Sequence, residues 1–353
     1  MEKKELKDIS WLVDEPTYRA DPALSYSNLS TYQTLGFTGL EHLFDRKESL
    51  SLTLGSATDA IITGGIEEFN EHFAVVDIPS MGDKEGKIVK HLFNLYSSSY
   101  SSIEEVPATY ILAAANEFNY GADNWKPDTK INKISTAGSP YWRAKISVGD
   151  KTILTPQNFQ DVQNMVRALR ESPATCMYFA NDDEWSSIRR YYQLKFKFKV
   201  DEVEYRSMMD LVIVDYAEKK IYPIDLKTSL STAEWDFEQN FKKWHYYVQA
   251  RLYWRNLRAN MDRDDYFKDF SLEDYRFIIV NPRTLTPLVW EFPLTKSVGQ
   301  LVTDAGEIIE DPFTIGKELR GYLDCKPPVP VGINQEGVNM ITCIHPKEEA
   351  LTV

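Results

Sequence analysis

The run Met209-Asp210-Leu211-Val212-Ile213-Val214 decides how this chain is read, together with Ile221-Tyr222-Pro223-Ile224-Asp225-Leu226-Lys227-Thr228-Ser229 after the polar turn Asp215-Tyr216-Ala217-Glu218. Each run is apolar and of strand length, and the turn between them makes a hairpin. Just upstream, Leu194, Phe196, Phe198 and Val200 alternate with Lys195, Lys197 and Lys199, the period of a half-buried strand. A three-stranded antiparallel meander follows, with strands from Tyr191, over Tyr205 to Val214 and over Lys220 to Lys227. Asp210 begins one apolar strand, and Asp225 with Lys227 closes the next, so the hairpin gathers three charged groups. Asp225 and Lys227, two residues apart, share a face. Charge at the end of an apolar strand is costly without partners.

Outward from the meander, the pattern predicts a long helix from about Phe237 to Leu257. Strands at Arg276 to Asn281 and Pro287 to Phe292 follow, around the turn Pro282-Arg283-Thr284, in the order β-β-β-α-β-β. The preceding half reads as helical. Residues 1 to 50 form an entry, and Leu54-Gly55-Ser56-Ala57-Thr58-Asp59-Ala60-Ile61-Ile62 opens a second helix. Residues 84 to 96 and 108 to 118 are helical around a surface loop at Ser97 to Ser102. Residues 120 to 140, rich in Gly, Asp, Asn, Lys and Ser, read as irregular. Thr155-Pro156 caps and starts a helix that runs to about Ser172-Pro173. The reading is an α/β protein: a helix-rich region over 1–180 joined to a mixed central sheet over 181–325. Residues 326–353, with Pro327, Pro328 and Pro330, form an extended tail.

The 353 residues carry 40 Lys and Arg against 53 Asp and Glu, a net charge of −13, with ordinary globular hydrophobicity. No stretch approaches the roughly 18 to 20 apolar residues of a membrane helix. The charged amino terminus lacks the apolar segment of a secretory signal, so a cytoplasmic location and no membrane partner are expected. Cys176, Cys325 and Cys343 are too few and too far apart for a disulfide framework or a zinc motif. The five histidines form no ligand pair. Residues 185–260 hold 14 Lys and Arg against 10 Asp and Glu, so the acidity lies elsewhere. Lys195, Lys197 and Lys199 on one strand, and Lys242, Lys243, Arg251, Arg255 and Arg258 on the long helix, are either a basic channel or a solvated surface.

Two carboxylates a few ångströms apart repel unless a cation lies between them, and hard oxygen ligands select Mg²⁺ or Mn²⁺. A neighbouring ammonium can position a water and neutralise charge developing on a phosphate. This is the layout of a metal-assisted phosphodiesterase. The competing reading is structural: an Asp210–Lys227 salt bridge, with Asp225 capping a strand. Tyr246, Gln249 and Tyr253 fall at i, i+3 and i+7 on one helical stripe, with His245 one residue aside. That stripe can support the carboxylates or orient DNA phosphates, or Tyr253 is a core aromatic.

The order Asp210, then Asp225-Leu226-Lys227, then Gln249-Ala250-Arg251-Leu252-Tyr253 resembles the PD-(D/E)XK nuclease superfamily, and its Gln-x-x-x-Tyr element resembles the RecB-like branch. The long helical region, the Gly-Ser-Ala-Thr-Asp element and Glu184 ahead of the first strand make the chain similar to phage and prophage exonuclease VIII (RecE-type) proteins over roughly residues 20 to 295. The resemblance implies a PD-(D/E)XK core of β-β-β-α-β order with a helical amino-terminal half. It implies that Asp210, Asp225 and the Leu226 carbonyl bind Mg²⁺, that Lys227 assists the attacking water, and that Gln249, Tyr253, Tyr246 and Glu184 serve DNA or support the site. It also implies exonucleolytic hydrolysis of linear duplex DNA, 5′ to 3′, in phage-type recombination or repair, with a single-strand annealing protein as partner and a homo-oligomer as the working form. The rivals are a structure-specific or single-strand nuclease of the same fold and an inactive DNA-binding or assembly protein.

Two departures stand out. Met209 replaces the motif's proline, and the element that often carries a metal-binding His as Gly-x-x-x-His here reads Gly55-Ser56-Ala57-Thr58-Asp59. Asp59 is either a further Mg²⁺ ligand or a first-turn Asp favoured by the helix dipole. Three scattered cysteines argue against an iron-sulfur relative.

Overall fold

A computed structural model describes residues 4–45, 49–121, 125–183, 186–294, 301–303, 306 and 308–325. Helices α1 (Glu15–Ala20), α2 (Tyr26–Leu35) and α3 (Leu50–His72) lead to the short strand β1 (Phe73–Val75). Next come α4 (Asp83–Tyr96), α5 (Ala108–Glu117), α6 (Pro127–Val148), β2 (Thr152–Leu154) and α7 (Pro156–Glu171). The second half holds β3 (Ile188–Val200), β4 (Val203–Asp215), β5 (Lys220–Thr228), α8 (Phe237–Lys243), α9 (Tyr246–Asp262), β6 (Ser271–Leu272), β7 (Tyr275–Val280) and β8 (Leu288–Phe292), with α10 (Pro312–Cys325) beyond.

The main sheet runs β3-β4-β5-β7-β8, with β6 pairing beside β5. β3, β4 and β5 form the expected antiparallel meander, β5 runs parallel to β7, and β7 is antiparallel to β8, so the sheet is mixed. Alternation sends its apolar side chains to two faces. One packs against Phe237 of α8, Val248, Leu252 and Leu257 of α9, Leu29 of α2, and Ile315 and Leu319 of α10. The other packs against Leu54, Ala57, Ile62 and Phe69 of α3 and Val162, Met165, Val166 and Leu169 of α7. Thr155 caps α7 by accepting the Asn158 N–H, and Pro156 takes its first position, as the sequence predicts.

β1 and β2 pair in parallel, Phe73 opposite Thr152, so the chain leaves β1 at Val75 and comes back alongside the same strand at Thr152. The excursion is the three-helix unit α4–α6, which has its own core of Ile88, Val89, Leu92, Ile103, Ile111, Ala115, Ile134 and Trp142. Here the irregular reading of residues 120 to 140 is corrected, because most of that stretch belongs to α6. Ile134, Gly138 and Trp142 recur every fourth residue and are buried, so tertiary packing overrides the weak propensities of Ser, Thr, Gly and Pro140. Gly138 is required by the approach: a Cβ there would lie 2.7 Å from Ile103 Cδ1 and 2.8 Å from Val89 Cγ2.

Two further expectations are corrected. The single long helix is two, broken between Lys243 and Tyr246, where His245 adopts a left-handed backbone with φ 54°. The second helix begins at Leu50 and not at Leu54, with Ser49 as its cap. The tail 326–353 lies outside the described residues.

Candidate active site

The site forms where the meander opens. The β4–β5 ladder ends at Leu211 opposite Ile224, so the next positions, Asp210 and Asp225, face each other without backbone pairing. The Asp210 carboxylate takes up the freed donor, accepting the Leu226 N–H at 3.0 Å. On the other side of β4 the ladder also skips a step, from Tyr192 opposite Leu211 to Leu194 opposite Met209. The residue between is Gln193, whose φ of 53° is left-handed. Both strands change phase there. Tyr192 and Leu211 face the α3–α7 side, whereas Leu194, Phe196 and Met209 face the α9 side although two-residue alternation would not allow it. The irregularity falls at Asp210, between Met209 on the α9 side and Leu211 on the α3–α7 side.

Asp225 is 1% exposed and held from two sides. Gln249 Nε2 of α9 donates to its Oδ1 at 2.5 Å. Lys227 Nζ lies 2.6 Å from its Oδ2, close enough for an ion pair but off the hydrogen-bond direction, so that oxygen has no aligned donor. The Lys227 ammonium also sits 4.7 Å from the centre of the Tyr246 ring. Burial works to lower the pKa of Lys227, but Asp225, Tyr246 and Asp210 together raise it, so this lysine is charged. Tyr246 and Gln249 thus meet Lys227 and Asp225 from one turn of α9. Tyr253, on the same helix, is buried, and its hydroxyl pKa is pushed well up by burial first, then by Tyr18, Asp225 and Asp210.

α3 brings the third carboxylate. Ser51, Gly55 and Asp59 recur every fourth residue and share a face. Ser51 Oγ donates to the Thr228 carbonyl at 3.1 Å, and Thr228 Oγ1 donates to the Ser51 carbonyl at 3.2 Å. A Cβ on Gly55 would stand 2.9 Å from Thr228 Oγ1, so glycine lets α3 rest on the end of β5. Asp59, one turn further, accepts a hydrogen bond from Gln193 Nε2. Burial pushes the Asp59 pKa up to about 7, with Asp225 and Glu15 adding repulsion. Asp210 is also raised well above the usual carboxylate range, by burial, then Asp225, then Asp59, against Lys227 and the Leu226 N–H. Because α3 begins at Leu50, Asp59 lies in its third turn, so the first-turn dipole reading is overturned.

The fold therefore gathers Asp59, Asp210, Asp225, Lys227, Gln249 and Tyr246, with Tyr253 behind them, while Glu184 lies outside the described residues. Gln193 and Glu15 escaped the sequence reading. Gln193 was visible only as the uncharged polar residue ahead of Lys195, Lys197 and Lys199. The basic-surface reading is corrected in part: Lys197 pairs with Asp21 and Glu204, Lys199 with Glu202, Arg251 with Asp311 and Arg258 with Asp262. Among the described residues, one set of three candidate ligand atoms lies within 4.8 Å of one another, at Glu68, Glu71 and His72 on α3. The site carboxylates do not all approach one another that closely, and Lys227 balances Asp225.

No family model and no curated protein matches the chain. Among solved structures, a candidate exonuclease from Eubacterium rectale is 12% identical over 89% of this chain and 85% of its own, with a TM-score of 0.42. Another, known by a locus name, is 12% identical over 70% of this chain and 89% of its own, with a TM-score of 0.24. Likeness at that level decides neither the fold family nor the activity. No helix among the described residues is long and apolar enough to cross a membrane.

Proposed function

We propose that this chain is a PD-(D/E)XK nuclease of the RecB-like branch that hydrolyses DNA phosphodiester bonds with Mg²⁺, for which Mn²⁺ substitutes. The observation that carries the reading is the meeting of Asp210, Asp225 and Lys227 at the open end of the meander, with buried Gln249 donating to Asp225. The donor set suits a hard cation, since Asp59, Asp210, Asp225 and the Leu226 carbonyl offer oxygen alone. Burial first and then carboxylate repulsion raise the pKa values of Asp59 and Asp210, a divalent cation relieves the repulsion, and Asp225 Oδ2 has no aligned donor. Those four residues would hold the ion, whose chemistry is to supply positive charge beside the scissile phosphate.

The remaining work falls to the chain's own groups. Lys227, kept charged by Asp225 and Asp210, contributes a second positive charge that orders the attacking water and balances charge developing on the phosphate. Gln249 fixes the Asp225 carboxylate, and Gln193 fixes that of Asp59. The finer reading follows the sequence resemblance: exonucleolytic digestion of linear duplex DNA, 5′ to 3′, in phage-type recombination, by a homo-oligomer working with a single-strand annealing protein.

The test uses end-labelled linear, circular, nicked and single-stranded DNA with Mg²⁺, Mn²⁺ or Ca²⁺. Mg²⁺ and Mn²⁺ are expected to support release from the 5′ end of linear duplex, and Ca²⁺ binding with little turnover. Robust cleavage in excess EDTA would sink the metal mechanism. Inertness with every substrate and metal would favour the inactive DNA-binding reading.

A further inference from the structure

We infer that Trp244 is a stacking platform for an unpaired nucleobase at the edge of this site, a positioning role that rests on the nuclease reading. The indole lies at the break between α8 and α9, which the continuous apolar pattern did not announce. The chain accepts a strained residue to make that break: His245 takes φ 54° and ψ 41°, a left-handed backbone that a residue with a Cβ adopts only at a cost. The result is a large apolar ring left 48% exposed. Its backbone is nonetheless firmly held. The Trp244 carbonyl accepts the Tyr26 hydroxyl and, at 3.4 Å, the Ser30 hydroxyl, while its N–H caps α8 on the Asn240 carbonyl.

The same contacts lead directly to the site. The Tyr26 ring lies 6.2 Å from the Tyr246 ring, and Tyr246 stands 4.7 Å from the Lys227 ammonium. Lys243 Nζ lies 4.8 Å from the Trp244 ring. A half-exposed indole with the Lys243 ammonium over its ring, anchored two residues from a side chain on Lys227, suits a splayed base on the ring and its phosphate on the cation. Stacking on an aromatic ring is indifferent to base identity, so the platform would hold the strand end without imposing a sequence.

The experiment compares wild type, Trp244→Ala, Trp244→Gln and Trp244→Phe on two substrates: an oligonucleotide and bis(p-nitrophenyl) phosphate, a diester without bases. The Ala and Gln variants should raise KM for the oligonucleotide by roughly 5- to 100-fold, the loss of one stacked base. Phe should recover most of that loss. Hydrolysis of the baseless diester and the melting temperature should not change, and quenching of 2-aminopurine at the strand end in Ca²⁺ should disappear in Ala and Gln. Should Ala fold poorly, Gln decides. Unchanged KM and quenching in a folded variant overturn the platform while leaving the nuclease reading intact. A wild-type protein inert on both substrates overturns that reading, and the platform with it.

Discussion

The open end of β4 and β5 and the α4–α6 unit solve burial in opposite ways. In α4–α6 the core is apolar: among the described residues from Asp83 to Val148, no charged side chain is fully buried, and helices approach until only Gly138 fits. At the site Asp225 and Gln249 are buried, Lys227 stands against Asp225, and Asp59 and Asp210 add repulsion. The helical unit is held by its own packing, whereas the site is held against its own electrostatics by the strands and α3 around it. Substitutions should therefore separate: site changes should alter turnover more than stability, and changes in the helical unit the reverse.

The largest expected effect is on turnover. Asp225→Asn should lower kcat by about 10³-fold or more in the linear-duplex assay, and Lys227→Ala by about 10² to 10³-fold, with a modest change in DNA affinity. The melting temperature of Asp225→Asn should move little, since losing the attraction of Lys227 is offset by losing the repulsion of Asp210. A collapse in stability with turnover per folded molecule intact would reassign this pair to structure.

The converse lies in α6. Trp142 is fully buried, so Trp142→Ala should cost about 3 to 5 kcal/mol in denaturant unfolding, with cleavage per folded molecule unchanged. Gly138→Val should cost about 1 to 3 kcal/mol through the clash with Ile103 and Val89. Loss of turnover in folded protein would show that the two regions are coupled.

How far each region could be read follows from the same contrast. The meander was legible because period-two alternation in Leu194, Phe196 and Phe198 is a local pattern. Asp210, Asp225 and Lys227 were legible because charge at the end of an apolar strand asks for a partner. α6 was not, since Ile134, Gly138 and Trp142 form a helical stripe only through what packs on them. The phase change at Gln193 and the break at His245 were hidden for a related reason: each is a left-handed residue imposed by tertiary contacts, with no glycine to announce it. Gly55-x-x-x-Asp59 was visible as a spacing, but its reason, the seat of α3 on Thr228, was not.

That seat offers a smaller perturbation. Gly55→Ala should push α3 off Thr228 and displace Asp59, lowering kcat by roughly tenfold, about 1.4 kcal/mol of transition-state stabilisation. Gly55→Ala with Thr228→Ala should recover part of the loss, because removing Oγ1 makes room for the new methyl group. A cycle with purely additive losses would show that the contact does not position the site.

The smallest effect, and the one that touches the electrostatics most directly, is the pH dependence contributed by Asp59. Its pKa in the folded chain is pushed up to about 7, above its value in an unfolded chain, so between those values the folded state binds the extra proton. Stability without divalent cations is then greatest below the unfolded pKa and falls as pH rises towards about 7, because ionisation puts a charge at a buried position and, secondarily, into repulsion with Asp225 and Glu15. Asp59→Asn removes that ionisation and should flatten the fall, making the variant relatively more stable at pH 8 than at pH 4 when melting temperatures are compared with wild type. Mg²⁺ should raise the wild-type melting temperature at pH 8 more than that of Asp59→Asn, and the variant should need more Mg²⁺ for half-maximal cleavage. Asp59→His should respond better to Mn²⁺ than to Mg²⁺, because imidazole suits the softer ion. Equal pH slopes and equal Mg²⁺ midpoints in wild type and Asp59→Asn would remove this carboxylate from the metal set and leave Asp210 and Asp225 to hold the ion.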